Sequence, residues 1–217
     1  MNFKIIFLLL VVGFAFQSCD LGTEPDIGGT NTRKMAGEWY LQLFDADDNA
    51  LTNHSLFTTS NTAANLSTEM WLIDNDVFAA QTKLSTNQDA LTFTQAGPGD
   101  NLLYEGDGDA PDPSNVVDLG STEEVQSATY RSMTITDGRI LANAAHPPSN
   151  TVTDSLVMTI TGNIVTDTYT AISYSIVDNG GVLDTSVVWQ KVSSALTADG
   201  PYLLKGYRRT GFLEDEH

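Results

Sequence analysis

The sequence predicts an all-β protein: one antiparallel sheet, closed or sandwiched, of about eight to ten strands. Three observations predict it. β-branched and aromatic residues alternate with polar ones along most of the chain, turn-forming dipeptides interrupt that alternation at short intervals, and helical period is nearly absent. Gly37 to Phe44 reads as the opening strand. Thr68 to Ile73 and Ala79 to Leu84 read as a hairpin around Asp74-Asn75-Asp76. Ala128 to Thr136 and Arg139 to Ala142 flank Asp137-Gly138, a dipeptide that suits a two-residue hairpin because both turn positions need positive φ. Asp154 to Thr161 places Leu156, Met158 and Ile160 on one face. Val165 to Val177 follows, and Asp178-Asn179-Gly180-Gly181 turns the chain back into Ser186 to Val192. Pro201 to Phe212 closes the domain. Gly97 to Thr122 stands apart: Pro98, Pro111 and Pro113 among many Asp and Gly predict a long loop, a feature compact domains keep for function or mobility.

A different kind of segment precedes the domain. Lys4 supplies a positive start and Ile5 to Phe16 an apolar run too short for a membrane span of ~20 residues, which predicts a signal peptide over residues 1–18. The run ends at Phe16-Gln17-Ser18-Cys19, which resembles a lipobox. Cys19 is the only cysteine in the chain, so no disulfide within it explains the residue. The reading is a lipidated Cys19, which makes the chain a cell-envelope lipoprotein, expected at the outer membrane on its periplasmic or its surface face. Residues 19–34, rich in Gly, Thr, Asp and Asn, read as a flexible tether and residues 35–217 as one domain.

Composition narrows the partners. With 28 acidic against 10 basic residues the formal charge is −18, which disfavours nucleic acid and anionic lipid surfaces. Charged residues at 18% and hydrophobic residues at 41% describe a globular chain rather than a disordered one.

Four segments carry a family resemblance: Met35-Ala36-Gly37-Glu38-Trp39-Tyr40, Thr59-Ser60-Asn61-Thr62-Ala63-Ala64-Asn65, Glu69-Met70-Trp71-Leu72-Ile73-Asp74, and Gly206-Tyr207-Arg208-Arg209-Thr210-Gly211-Phe212-Leu213-Glu214-Asp215. Together they resemble the Bacteroidetes lipoproteins called lipid-binding putative hydrolases, a lipocalin-like family. The resemblance implies a lipocalin-like β-barrel. Gly37-x-Trp39 is also similar to the lipocalin G-x-W signature. By that likeness Trp39 lies across the closed end of the barrel, with Arg208 or Arg209 stacked on it, as a structural pair.

No G-x-S-x-G elbow occurs. His54 lies in a turn, His146 precedes Pro147-Pro148, and His217 is terminal, so none stands in a recognisable base context. Whether the chain is an enzyme is left open here, with the missing nucleophile–base motif weighing against it, and its catalytic residues are left unassigned. Asp45-Ala46-Asp47-Asp48-Asn49 opens like a calcium loop but has Ala50 at the sixth position and no Glu at the twelfth. A hairpin turn is the better account. Asp107, Asp109 and Asp112 could hold a weak calcium ion, but solvated loop acids are the simpler reading. No metal or cofactor is assigned. Phe57, Trp71, Phe78, Tyr169, Tyr174 and Trp189 are strand aromatics able to line a cavity in a barrel, with core packing expected for at least half. The leading expectation is capture of a small apolar or amphipathic ligand. A hydrolase on a lipid or ester, and a subunit of a surface nutrient-uptake assembly, are the alternatives.

Overall fold

A computed structural model describes residues 29–95, 99–106, 108–178, 180–181 and 183–216. The signal segment, Cys19 and the tether as far as Gly28 lie outside the described residues, as do Asp107, Asn179 and His217. The strands are β1 (Gly37–Phe44), β2 (Ser55–Asn61), β3 (Glu69–Asp74), β4 (Ala80–Asn87), β5 (Thr92–Thr94), β6 (Gly99–Asp100), β7 (Thr122–Ala145), β8 (Thr153–Asp178) and β9 (Leu183–Arg208). They form one antiparallel sheet in the order β5-β4-β3-β2-β1-β9-β8-β7-β6, and β5 also pairs with β7, so the sheet closes on itself.

Alternation explains why the ring has a solid interior. Trp39, Leu41 and Leu43 on β1, Met70 and Leu72 on β3, and Leu156, Met158 and Ile160 on β8 are two residues apart and all buried. Phe57, Leu84, Phe93, Met133, Ile135, Ile140 and Leu204 join them from the other strands, and Met35 and Phe78 from the connections. Met35 is held by a turn, its N–H and that of Ala36 donating to the Thr32 carbonyl at 2.8 and 2.9 Å.

The Asp137-Gly138 hairpin does not form. β7 runs straight through it, and Asp137 keeps its positive φ of 53° inside a bulge, where the register against β8 slips between Thr136 and Arg139. A bulge needs positive φ as a turn does, and packing decides between them. Gly138 lies so close to Phe93 that a Cβ would stand 2.3 Å from its ring, and both flanks of the dipeptide bury apolar residues in one core. The neighbouring segments fuse likewise, making β7, β8 and β9 strands of 24, 26 and 26 residues.

Those three strands outrun the ring. β1 pairs with β9 only from Leu203 to Arg208, yet β8 and β9 continue paired from Gly162↔Asp199 to Asp178↔Leu183. β7 joins them through Thr122↔Thr170 to Gln126↔Thr166, making a three-stranded ribbon. The predicted long loop is a strap along this ribbon. Its start is fixed by Asn101, whose Nδ2 donates to the Ala79 and Tyr130 carbonyls at 3.1 and 2.9 Å. Further on, Val187 N–H donates to the Pro113 carbonyl at 2.7 Å, the Tyr174 hydroxyl to the Val117 carbonyl at 2.7 Å, and Ala171 exchanges backbone bonds with Gly120 and Ser121 at 2.8 and 2.9 Å.

Close approach of β1 and β9 requires glycine at position 206, where a Cβ would lie 1.9 Å from the Tyr40 carbonyl oxygen. Gly206→Ala should therefore lower unfolding free energy by about 1–3 kcal/mol, as overpacking does, in urea denaturation followed by circular dichroism. An unchanged midpoint would show that these strands part without cost.

Candidate functional site

The end of the ring is a clasp rather than an opening. The Trp39 indole N–H donates to Thr59 Oγ1 at 2.8 Å, and that hydroxyl donates to the Met35 carbonyl at 2.6 Å. The Arg208 guanidinium lies 4.5 Å above the Trp39 ring and donates to the Ala36 and Lys34 carbonyls at 2.9 and 3.3 Å. Arg209 points elsewhere, to Glu38 at 2.8 Å and to Glu216. Arg208 is thus the residue stacked on Trp39. Nearby, buried Asp215 accepts from the Ser149 N–H at 2.6 Å and from the hydroxyls of Ser149 and Thr210.

The six aromatics do not share a cavity. Phe57 and Phe78 are core, Phe78 meeting Tyr130 edge-on with centroids 5.3 Å apart. Trp71 alternates with buried Met70 and Leu72 and so faces outward, where Lys83 lies 5.4 Å from its ring. Tyr169, Tyr174 and Trp189 stand on the ribbon, far along β8 and β9 from the clasp. Tyr169 is buried and donates to Gly108 of the strap at 3.2 Å, Tyr174 is exposed, and Trp189 is half-buried opposite Ala171.

Open space lies outside the ring. A cleft of about 650 Å³ sits between the strap, at Pro113, Ser114 and Val116, and the β8–β9 hairpin, at Val177, Asp184, Thr185 and Ser186. Its size falls within the range of small-ligand sites. Two of its lining residues are exposed aliphatic groups, Val116 at 61% and Val177 at 41%, while Ile176 and Leu183, 73% and 70% exposed, stand on the other face of the hairpin, because Val177 pairs with Asp184 and Asp178 with Leu183. Exposed apolar side chains lining a cleft are a feature of interaction sites. Only the strap was legible beforehand, as a long Pro-, Gly- and Asp-rich loop; its crossing to the hairpin was not.

Titratable groups gather at two other places. A second cleft, of about 760 Å³, is lined by Thr52, Asn53, His54, Ser55, Asp76 and Val77. There the Ser55 hydroxyl donates directly to Asp76, while the His54 ring leans on Tyr207 at 5.5 Å. A serine nucleophile needs its hydrogen bond to the base, so this is not a charge-relay geometry. On the ribbon, Asp167 has a fully buried side chain that accepts from Ser194 and pairs with Lys191 at 3.0 Å. Burial opposes its charge, but Ser194 and Lys191 outweigh that and hold the carboxyl below its usual range. Sequence reasoning missed this trio. Lys191 and Ser194 are three apart on a strand and reach one carboxylate because the register slips at Val192.

His146 is exposed in the β7–β8 connection. Asp45 accepts from the Asp47 and Asn49 N–H groups at 2.9 and 2.8 Å, so its carboxylate organises a turn. In the strap, Asp112 accepts from Ser114 N–H and Oγ at 2.8 and 2.7 Å. Among the described residues, no three metal-ligating side chains gather.

A family model described as "Lipid-binding putative hydrolase" matches residues 24–213. No curated protein matches the chain.

A filled ring makes Phe57 part of the core, where nothing can move in to replace it. Phe57→Ala should cost about 3–5 kcal/mol of unfolding free energy, against less than about 1 kcal/mol for outward-facing Trp71→Ala. Equal costs in chemical denaturation would contradict the packed interior.

Proposed function

Since the chain belongs to the lipid-binding putative hydrolase family, we propose that it is an envelope lipoprotein whose β-domain captures a small apolar or amphipathic molecule beside the ring, between strap and hairpin. The observation that carries this reading is the cleft lined by Pro113, Val116 and Val177, with both valines exposed. Covering those groups removes apolar area from water at ~25 cal/mol per Å². A few hundred Å² then supports binding near micromolar after the costs of association. The ring supplies the rigid mount: the ribbon is an extension of strands whose other ends are locked in its core.

The anchor is inferred from residues 1–19, where a short apolar run ends at the only cysteine. Acylation there would hold the domain at the outer membrane, with its ligand supplied by that membrane or by the space around it. A hydrolase is the second reading, favoured by one observation: His54, Ser55 and Asp76 share a cleft. It requires Ser55 to exchange its bond with Asp76 for one with His54 once substrate is present.

Two measurements test these readings. Cys19→Ser should move the protein out of the membrane fraction and abolish labelling with palmitate; a variant still labelled and membrane-bound refutes the anchor. Native mass spectrometry of the protein purified from its own host, followed by solvent extraction, should release an amphiphile that Val116→Asp diminishes. An empty protein that turns over esters, with activity lost in His54→Ala, would decide for the hydrolase.

A further inference from the structure

The charge around the cleft narrows the chemistry of its occupant. The strap from Asn101 to Ser121 contains Glu105, Asp107, Asp109, Asp112 and Asp118 and no Lys, Arg or His. The hairpin from Ile172 to Gln190 contains Asp178 and Asp184 and again no basic residue. Asp184 lies in the wall of the cleft itself, next to Thr185 and across from Pro113 and Ser114. Asp112 adjoins that wall, and its hydrogen bonds from Ser114 hold its carboxyl below the usual range, so it stays ionised at neutral pH. Lys191 pairs with buried Asp167, and Arg131 lies over the face of Tyr104 with 4.8 Å to the ring centroid.

Resting on the reading of the cleft as an amphiphile site, we propose that its ligand is a cationic amphiphile: an aliphatic chain against Val116 and Val177, with an amine or quaternary ammonium head toward Asp184. Fatty-acid carboxylates and phosphate-headed lipids are the wrong sign for this wall. A single charge pair about 4 Å apart is worth roughly fivefold in affinity even at the dielectric of water, and the sign reverses for an anion. Cation and anion of equal chain length should therefore differ by at least about tenfold.

The test uses three probes of one chain length, each below its micelle concentration: decyltrimethylammonium, decanoate and decyl maltoside. They are titrated calorimetrically into the full chain carrying Cys19→Ser, which removes the bound lipid. The expected order is decyltrimethylammonium, then maltoside, then decanoate, with the cation at least about tenfold ahead of the anion. Raising salt from about 0.05 to about 0.5 M should narrow that gap, since screening shortens the reach of the wall's charge. Asp112→Asn with Asp184→Asn should weaken the cation about tenfold and leave the maltoside within about twofold. Val116→Asp, on an exposed strap side chain, should weaken the neutral probe.

Decanoate binding as well as the cation, or the double variant weakening maltoside equally, overturns the cationic head group while leaving an amphiphile site in place. No probe binding, or maltoside binding that Val116→Asp leaves unchanged, overturns the cleft itself.

Discussion

Everything in the ring depends on the stack of Arg208 over Trp39. β1 is only eight residues long and joins the early strands to the long ones. A cation over an indole contributes about 0.5–2 kcal/mol, more when water is excluded, and Trp39 is fully buried. The same guanidinium donates to the carbonyls of Ala36 and Lys34, and the indole reaches Met35 through Thr59. One contact thus joins the chain's entry, its first and second strands and its last. Lysine would not substitute, because a point charge cannot stack flat and also hold two carbonyls. The opposite seam is much thinner: β5 meets β7 only at Thr92↔Arg139 and Phe93↔Gly138. There the ring closes by packing, with the Phe93 ring filling the place a side chain on Gly138 would take.

A ring filled by Trp39, Phe57, Met70, Met158 and their neighbours leaves little room for the interior site that a lipocalin-like barrel suggests. A ring of this strand number is just wide enough for side chains to fill it, and here bulky ones do. The proposed site lies outward instead, on the parts of β7, β8 and β9 that exceed the ring. Their length follows from local irregularities. Slips in register at Thr136/Arg139, Ile160/Gly162, Thr168/Tyr169 and Ala171/Ser173 let continuous strands bend out of a closed sheet and continue. Such slips also re-aim side chains, which is how Lys191 and Ser194 come to share Asp167.

Much of the fold was legible because alternation is a local signal. Glu-Met-Trp-Leu-Ile-Asp at β3 announces its inner face, Met70 and Leu72, and its outer face, Trp71, with no knowledge of the rest. The closing pair was legible by resemblance, down to a choice between two arginines. Backbone register makes that choice: Arg208 sits opposite Trp39, while Arg209 passes the strand end and turns to Glu38. Asp137-Gly138 was misread because positive φ signals a departure from the regular ladder, not its kind. Bulge and hairpin differ only in whether a partner strand waits beyond, and that partner, β8, lies later in sequence. The cleft was the least legible part. Pro113 and Val187 are joined by a 2.7 Å hydrogen bond yet are 74 residues apart, and no periodicity reports a contact of that span.

The acidity of strap and hairpin has a second consequence, for the protein alone. A β-hairpin that leaves Ile176 and Leu183 in water invites self-association through its tip, and β9 beyond its pairing with β1 offers a long strand edge that invites pairing with another copy. Two such tips meeting would bring Asp178 and Asp184 of each copy together beside strap carboxylates of the same sign. Like charges within the ~8 Å screening length at physiological salt oppose that approach. The edge is further spoiled by the slip at Val192, by Lys191, and by Pro113 covering the Val187 N–H. An electrically neutral hairpin with the same apolar groups would have no such safeguard. On the proposed reading, the carboxylates hold a second copy away from the hairpin while leaving the neighbouring cleft open to a small ligand.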